Sequence, residues 1–230
     1  MTRRFYKTAA PSEDGLGVML DARTLKTPAG NAFRAPTRAL AEALAGEWDG
    51  HGENIVPAAM PLTQLAFAAI DIMPGRRGEL ARSLAKFIQT DLVCHRAGTP
   101  EALVLRQAEL WDPIVDWSRT RFHIHMPVVT GVIAAKVPPW LTTTLEWEID
   151  DLDDFRRTAL AQAVTLAGSV LIGFALLEGR LDAEQAFEAA ALDDLWSLEH
   201  WGEDGEARAR LERLKNDLRA VARFIQALSE

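Results

Sequence analysis

The 230-residue sequence carries 33 Asp and Glu against 25 Lys and Arg, a net charge of -8, with 48% hydrophobic and 25% charged residues. That is the composition of a folded globular protein, and its scattered bases in a net-acidic chain exclude nucleic acid as a partner class. Cys94 is the only cysteine, which rules out an internal disulfide or a cysteine-built zinc cage and fits a reducing compartment.

Arg3 and Arg4 are followed by Phe5-Tyr6-Lys7 and a polar loop where a signal peptide needs an apolar run. The first 36 residues read as strands and turns. Leu16, Val18 and Leu20 alternate, Asp21-Ala22-Arg23 makes a tight turn into Thr24 to Thr27, and Pro28-Ala29-Gly30-Asn31 is a second turn before Phe33. Thr37 is the expected N-cap of a helix whose Leu40, Leu44 and Trp48 recur every four residues. Gly50 to Pro61 breaks the pattern, and a domain boundary is placed near Pro61. Helices are expected from Leu62 to Ile72, from Glu79 to Gln89 after a break at Pro74-Gly75, and from Glu101 to Trp111. Asp112-Pro113 reads as an N-cap and first-turn proline, hence the start of a new helix. Val128 to Ile133 reads as extended, and Trp140 to Glu148 as helix. Thr158 to Leu177 is 20 residues without a charge. It is long enough to span a bilayer, but its Gln162, Thr165, Gly168, Ser169 and Gly173 favour one buried helix over an integral membrane protein. The last helix repeats Leu211, Leu214, Leu218, Val221, Ile225 and Leu228 in steps of three and four. The fold class expected is α+β: a small N-terminal antiparallel β-rich domain with a helix over 1–61, followed by a larger all-α C-terminal domain over 62–230.

The usual catalytic fingerprints are missing from the sequence. It has no phosphate-binding glycine loop, no dinucleotide pattern, no nucleophile elbow and no paired metalloprotease histidines. His123 and His125, two apart, would share a face on a strand and offer two metal ligands without a third. Asp91, Cys94 and His95 lie close in sequence, which keeps open the alternative of a metal-dependent or thiol-based small soluble enzyme. On a helix, however, Cys94 and His95 diverge by roughly 100°. The expected answer is no enzyme, no metal and no cofactor. Tryptophan is the feature that stands out, seven against a single tyrosine. Trp111, Trp117 and Trp196 fall within apolar helical patterns and read as core. Trp48 ends the Leu40 and Leu44 stripe, and Trp201 precedes a glycine that can stop its helix. For both, packing and a partner interface remain open.

Phe5-Tyr6-Lys7, Leu20-Asp21-Ala22-Arg23-Thr24-Leu25-Lys26-Thr27-Pro28-Ala29-Gly30, Glu47-Trp48-Asp49, Met60-Pro61-Leu62-Thr63, Thr90-Asp91-Leu92, Gln107 with Trp111-Asp112-Pro113, and Trp201-Gly202-Glu203-Asp204 occur in this order. Together they resemble the signature of the chaperones that hold the alpha subunit of the F-type ATP synthase before assembly. Ala22 and Ser197 depart from the glycine and glutamine common there. The resemblance implies a β-rich N-terminal and helical C-terminal domain. It also implies the ATP synthase alpha subunit as partner, no cofactor, and a bacterial cytoplasmic protein, or a mitochondrial matrix one if the chain is a processed eukaryotic form. Trp48, Glu199, Trp201, Glu203 and Asp204 are the candidate partner-binding residues, since an interface that must both hold and release a client needs aromatic anchors with a polar rim.

Overall fold

The computed structural model describes residues 2–131, 133–202 and 204–229. The strands are β1 (Thr2–Arg3), β2 (Ala9–Pro11), β3 (Val18–Leu20), β4 (Arg23–Thr24), β5 (Asn54–Ile55), β6 (His95–Arg96) and β7 (Val129–Thr130). The helices are α1 (Arg38–Asp49), α2 (Pro61–Asp71), α3 (Met73–Ala85), α4 (Glu101–Phe122), α5 (Pro139–Asp150), α6 (Asp154–Ala167), α7 (Val170–Leu177), α8 (Ala183–Ala190), α9 (Leu192–Trp201) and α10 (Gly205–Ala227). The α+β class expected from the sequence is what the chain forms. Two compact units are present: residues 1–77 with 153–159 and 220–230, and residues 78–152 with 160–219.

In the first unit β2, β3 and β4 form an antiparallel sheet with Ala9 opposite Leu20 and Leu20 opposite Arg23. The turn between β3 and β4 places Asp21 at φ 53°, a left-handed conformation that Asp tolerates better than most residues. Its carboxylate accepts from the Lys7 and Thr8 amides at 3.0 and 2.9 Å, bonds that hold its pKa low. Helix α1 packs on β2 and β3, burying Leu40, Leu44 and Trp48, and Thr37 Oγ1 accepts from Leu40 N as the cap.

The motif residues around this helix are joints. The Glu47 carboxylate accepts from Leu62 N, Thr63 N and Thr63 Oγ1 at 2.8 to 2.9 Å, capping α2. Asp49 accepts from Arg4 and Ala9 N. Asp71, the last residue of α2, accepts from Thr27 Oγ1, Ala29 N and Asn31 Nδ2, fixing the Thr27 to Asn31 turn. Phe155 stacks on Phe224 within the same unit, centroids 6.4 Å apart.

The core of the second unit is α7, buried from Val170 to Leu176. Here the chain departs from the single helix expected over Thr158 to Leu177. Gly168 adopts φ 64° and ends α6, and Ser169 Oγ accepts from Ile172 N to start α7. The segment is largely buried, but as two helices, and Gln162 and Thr165 on the outer side of α6 are exposed. Asp91 completes the break: its Oδ2 accepts from Val170 N at 2.8 Å and Leu171 N at 3.2 Å, and its Oδ1 from Val93 N. A Cβ added at Gly173 would stand 2.6 Å from Val164 Cγ2 and 3.2 Å from Leu160 Cδ1, so glycine lets α6 and α7 approach this closely.

Helix α4 corrects the reading of Asp112-Pro113 as a new start, since it runs unbroken through Pro113. Pro113 and Glu109, the residue one turn back whose carbonyl it leaves without an intrahelical donor, are both exposed, and on a solvent-facing side of a helix that loss is cheapest. Likewise Pro74 and Gly75 lie in the first turn of α3, where proline is tolerated; the break falls at Ile72. Val129–Thr130, within the stretch read as extended, pairs in parallel with His95–Arg96; Val132 lies outside the described residues.

Candidate functional site

The candidate residues of the second unit gather where α9 ends. Helix α9 buries Leu192 and half-buries Leu195 and Leu198, spacing that keeps its apolar side inward. Trp196 stacks on His200, ring centroids 3.9 Å apart, and His200 Nδ1 lies 2.9 Å from the Trp196 carbonyl oxygen. Glu199 receives two bonds from Arg106 of α4, 2.6 and 3.1 Å long, and this pairing pulls its pKa down. Trp201, the last residue of the helix, is 82% exposed. Gly202 at φ 98° terminates α9, a conformation closed to most side chains. Asp204 Oδ1 accepts from Glu206 N at 2.9 Å at the start of α10. Glu203 lies outside the described residues.

Two grooves flank α9. One, about 420 Å³, has a floor of Phe187, Leu195, Leu198 and Leu211 with Glu199 and Lys215 on its rim. The other, about 310 Å³, is lined by Arg106, Leu110, Leu192 and Leu195 among others. Apolar floors and charged rims, with the exposed Trp201 two residues beyond the rim residue Glu199, make the mixture found at separable protein interfaces.

Trp48 belongs elsewhere. It lies in the first unit, 9% exposed, its ring 5.8 Å from that of Tyr6, whose hydroxyl donates to the Trp48 carbonyl oxygen at 2.6 Å. In this position it packs, and a partner cannot reach it without rearrangement. The helical tryptophans divide more finely than their pattern indicated: Trp111 is fully buried and donates Nε1–H to Ala189 O at 2.9 Å, while Trp117 and Trp196 are half-buried.

The residues considered for catalysis are not arranged for it. Asp91 points its carboxylate at the N-terminus of α7, and His95 Nδ1 meets the Asp91 backbone oxygen, not the carboxylate. Burial, and then the Asp91 charge, push the Cys94 thiol pKa well up, the opposite of an activated thiolate. His123 and His125 are both exposed, and among the described residues no three His, Cys, Asp or Glu side chains converge as a metal site. No described helix is long and apolar enough to cross a membrane.

Most residues that carry the family resemblance are therefore internal caps and joints. Gln107 is another, its Oε1 accepting from Ala97 N and its Nε2 donating to Asp193. Arg106, Leu195 and Leu198 were missed in the sequence, the last two because their spacing is that of any amphipathic helix.

A chaperone class is what comparison with known proteins returns. The family model described as ATP12 chaperone protein matches residues 3–119. The mitochondrial protein atp12 of Schizosaccharomyces pombe is 27% identical over 96% of this chain and 81% of its own. The crystal structure of Atp12 from Paracoccus denitrificans superposes with a TM-score of 0.92 at 39% identity, covering 99% of this chain and 98% of that one. A protein from Agrobacterium tumefaciens gives 0.89 at 35% identity over 98% and 86%. The chain belongs to the ATP12 chaperone family, which serves F1 ATP synthase assembly.

Proposed function

We propose that this protein binds the free alpha subunit of the F-type ATP synthase through the end of α9, covering its surface until beta subunits take it over, and that it does so without catalysis of its own. The observation that carries the reading is Trp201: among the residues that carry the family resemblance it ends a helix 82% exposed, where an aromatic side chain costs solubility unless a partner covers it. Glu199 and Asp204 supply the polar rim, and Glu203 belongs to the same run in sequence. The choice of the alpha subunit rests on the sequence resemblance. Release follows competition by the beta subunit, since the sequence has no phosphate loop to couple to hydrolysis. The bacterial origin of the structural relatives supports a bacterial cytoplasm as its compartment.

The test is capture with purified alpha and beta subunits presented separately. Binding to alpha, displaced by beta and indifferent to ATP, is expected. Equal capture of both subunits, or capture that requires ATP turnover, overturns the reading.

A further inference from the structure

Helix α5 has a face that nothing in its own unit covers. Leu141, Leu145 and Ile149 turn inward and are fully buried, while Trp140 and Trp147 are 53% and 70% exposed. Seven residues is within about 20° of two helical turns, so both indoles lie on one side. Thr144 falls between them. Its hydroxyl donates back to Trp140 O at 3.0 Å, as that of Thr143 does to Pro139 O at 3.2 Å. With those hydroxyls turned into the helix, the stripe is far less polar than its sequence.

Its surroundings are acidic. Between Arg121 and Leu152 the only Lys or Arg is Lys136, whereas Glu146, Glu148, Asp150 and Asp151 follow one another closely. Glu148 is paired with Arg121 at 3.0 Å. Glu146 and Asp151 have no ion-pair partner among the described residues.

We propose that the Trp140, Thr144 and Trp147 face of α5, with Glu146 and Asp151 at its edge, docks a basic amphipathic helix of a protein client. Cations are favoured because guanidinium or ammonium groups can lie over an indole and pair with a free carboxylate at once. The spacing of the face suits the apolar stripe of a helix laid along it. A second copy fits poorly. Matching faces would oppose the same carboxylates. An anionic membrane, the other common receptor of exposed tryptophan, is repelled by the same edge. Assigning the helix to the chaperone client rests on the proposed function; the basic character of the occupant does not.

The probe is a labelled helical peptide of about 18 residues, five turns, with Leu on one face and Arg on the other, beside a counterpart with Glu for Arg. The full chain is expected to bind the Arg peptide, more weakly as salt rises, and to ignore the Glu peptide. Trp140→Ala/Trp147→Ala and Glu146→Lys/Asp151→Lys should each weaken binding about tenfold or more, with circular dichroism unchanged, and Trp201→Ala should bind as the native protein does. Binding unaltered by both α5 variants overturns the proposal, as does no binding. A dimer or vesicle binding that Trp147→Ala abolishes replaces the occupant by a second copy or a membrane. Peptide binding through α5 without capture of the alpha subunit keeps this surface and removes the alpha-subunit reading; the reverse result removes only the surface.

Discussion

Arg106 of α4 and Glu199 of α9 meet as a two-pronged ion pair, 2.6 and 3.1 Å, immediately before the exposed Trp201. The carboxylate of the candidate site is thus held by its own protein. Glu199→Lys would put two cations face to face and disturb the helix end even if no client touched Glu199. The swap Arg106→Glu/Glu199→Arg separates the two effects. If Glu199 serves only to fix the helix end, the swap restores capture of the alpha subunit lost in Glu199→Lys; if the client reads the carboxylate itself, it does not. The thermal midpoint should move by no more than a few degrees in either variant, because exposed pairs contribute little to stability.

Trp201→Ala should weaken capture by roughly 2 kcal/mol or more, about thirtyfold, while leaving the thermal midpoint in place, since the ring is mostly in water. Trp111→Ala supplies the contrast. Its indole is fully buried and bonded to Ala189 O, so its loss should cost about 3–5 kcal/mol of folding stability and reduce capture only through unfolding. Parallel capture and thermal melts decide; a Trp201→Ala protein that melts much earlier would return that residue to packing.

Asp91 is fully buried, and desolvation raises its pKa to about 6 in spite of the hydrogen bonds it accepts from Ser169, Leu171, Val93 and Val170. A carboxyl whose folded pKa lies above its unfolded value takes up a proton on folding between the two. Its contribution to stability is therefore greatest below pH 3.8 and falls as pH rises through about 6. Asp91→Asn removes this titration. The stability of the native protein relative to Asp91→Asn, from urea melts between pH 4 and 7, should decline with pH and then level off. A pH-independent difference would mean that the capping bonds hold the pKa at its ordinary value.

Gly173→Ala should destabilise by about 1–3 kcal/mol, because the new Cβ falls 2.6 Å from Val164 Cγ2 and the close-packed helices must part. Val164→Ala in the same chain should recover part of that loss by making room, although each single change destabilises. Denaturant melts of the four proteins give the coupling; strict additivity would show that Gly173 is not needed for the approach of α6 to α7.

The sequence by itself determined the things that depend on near neighbours. Alternation at Leu16, Val18 and Leu20, the Thr37 cap, and the step of three and four from Leu211 to Leu228 are local patterns with local causes, so the α+β class and most helices were legible. So was the place of Trp201 at a helix end, since Gly202 had to stop its helix, although the sequence left open whether the ring packs or meets solvent. The break at Gly168-Ser169 was written in the same grammar but hidden by an unbroken apolar run. What only the tertiary structure decided are pairings across long chain separations, because a side chain's partner is set by packing and not by spacing. Asp91 caps a helix that begins 79 residues later, and Arg106 reaches Glu199 across 93 residues. Residues 153–159 and 220–230 gather with the first 77. Trp48 and Trp201 show the reason most directly. Both are tryptophans beside acids near a helix end, yet Trp48 is covered by Tyr6, and Trp201 projects past the last turn of α9 into solvent, where its own unit leaves most of the ring uncovered.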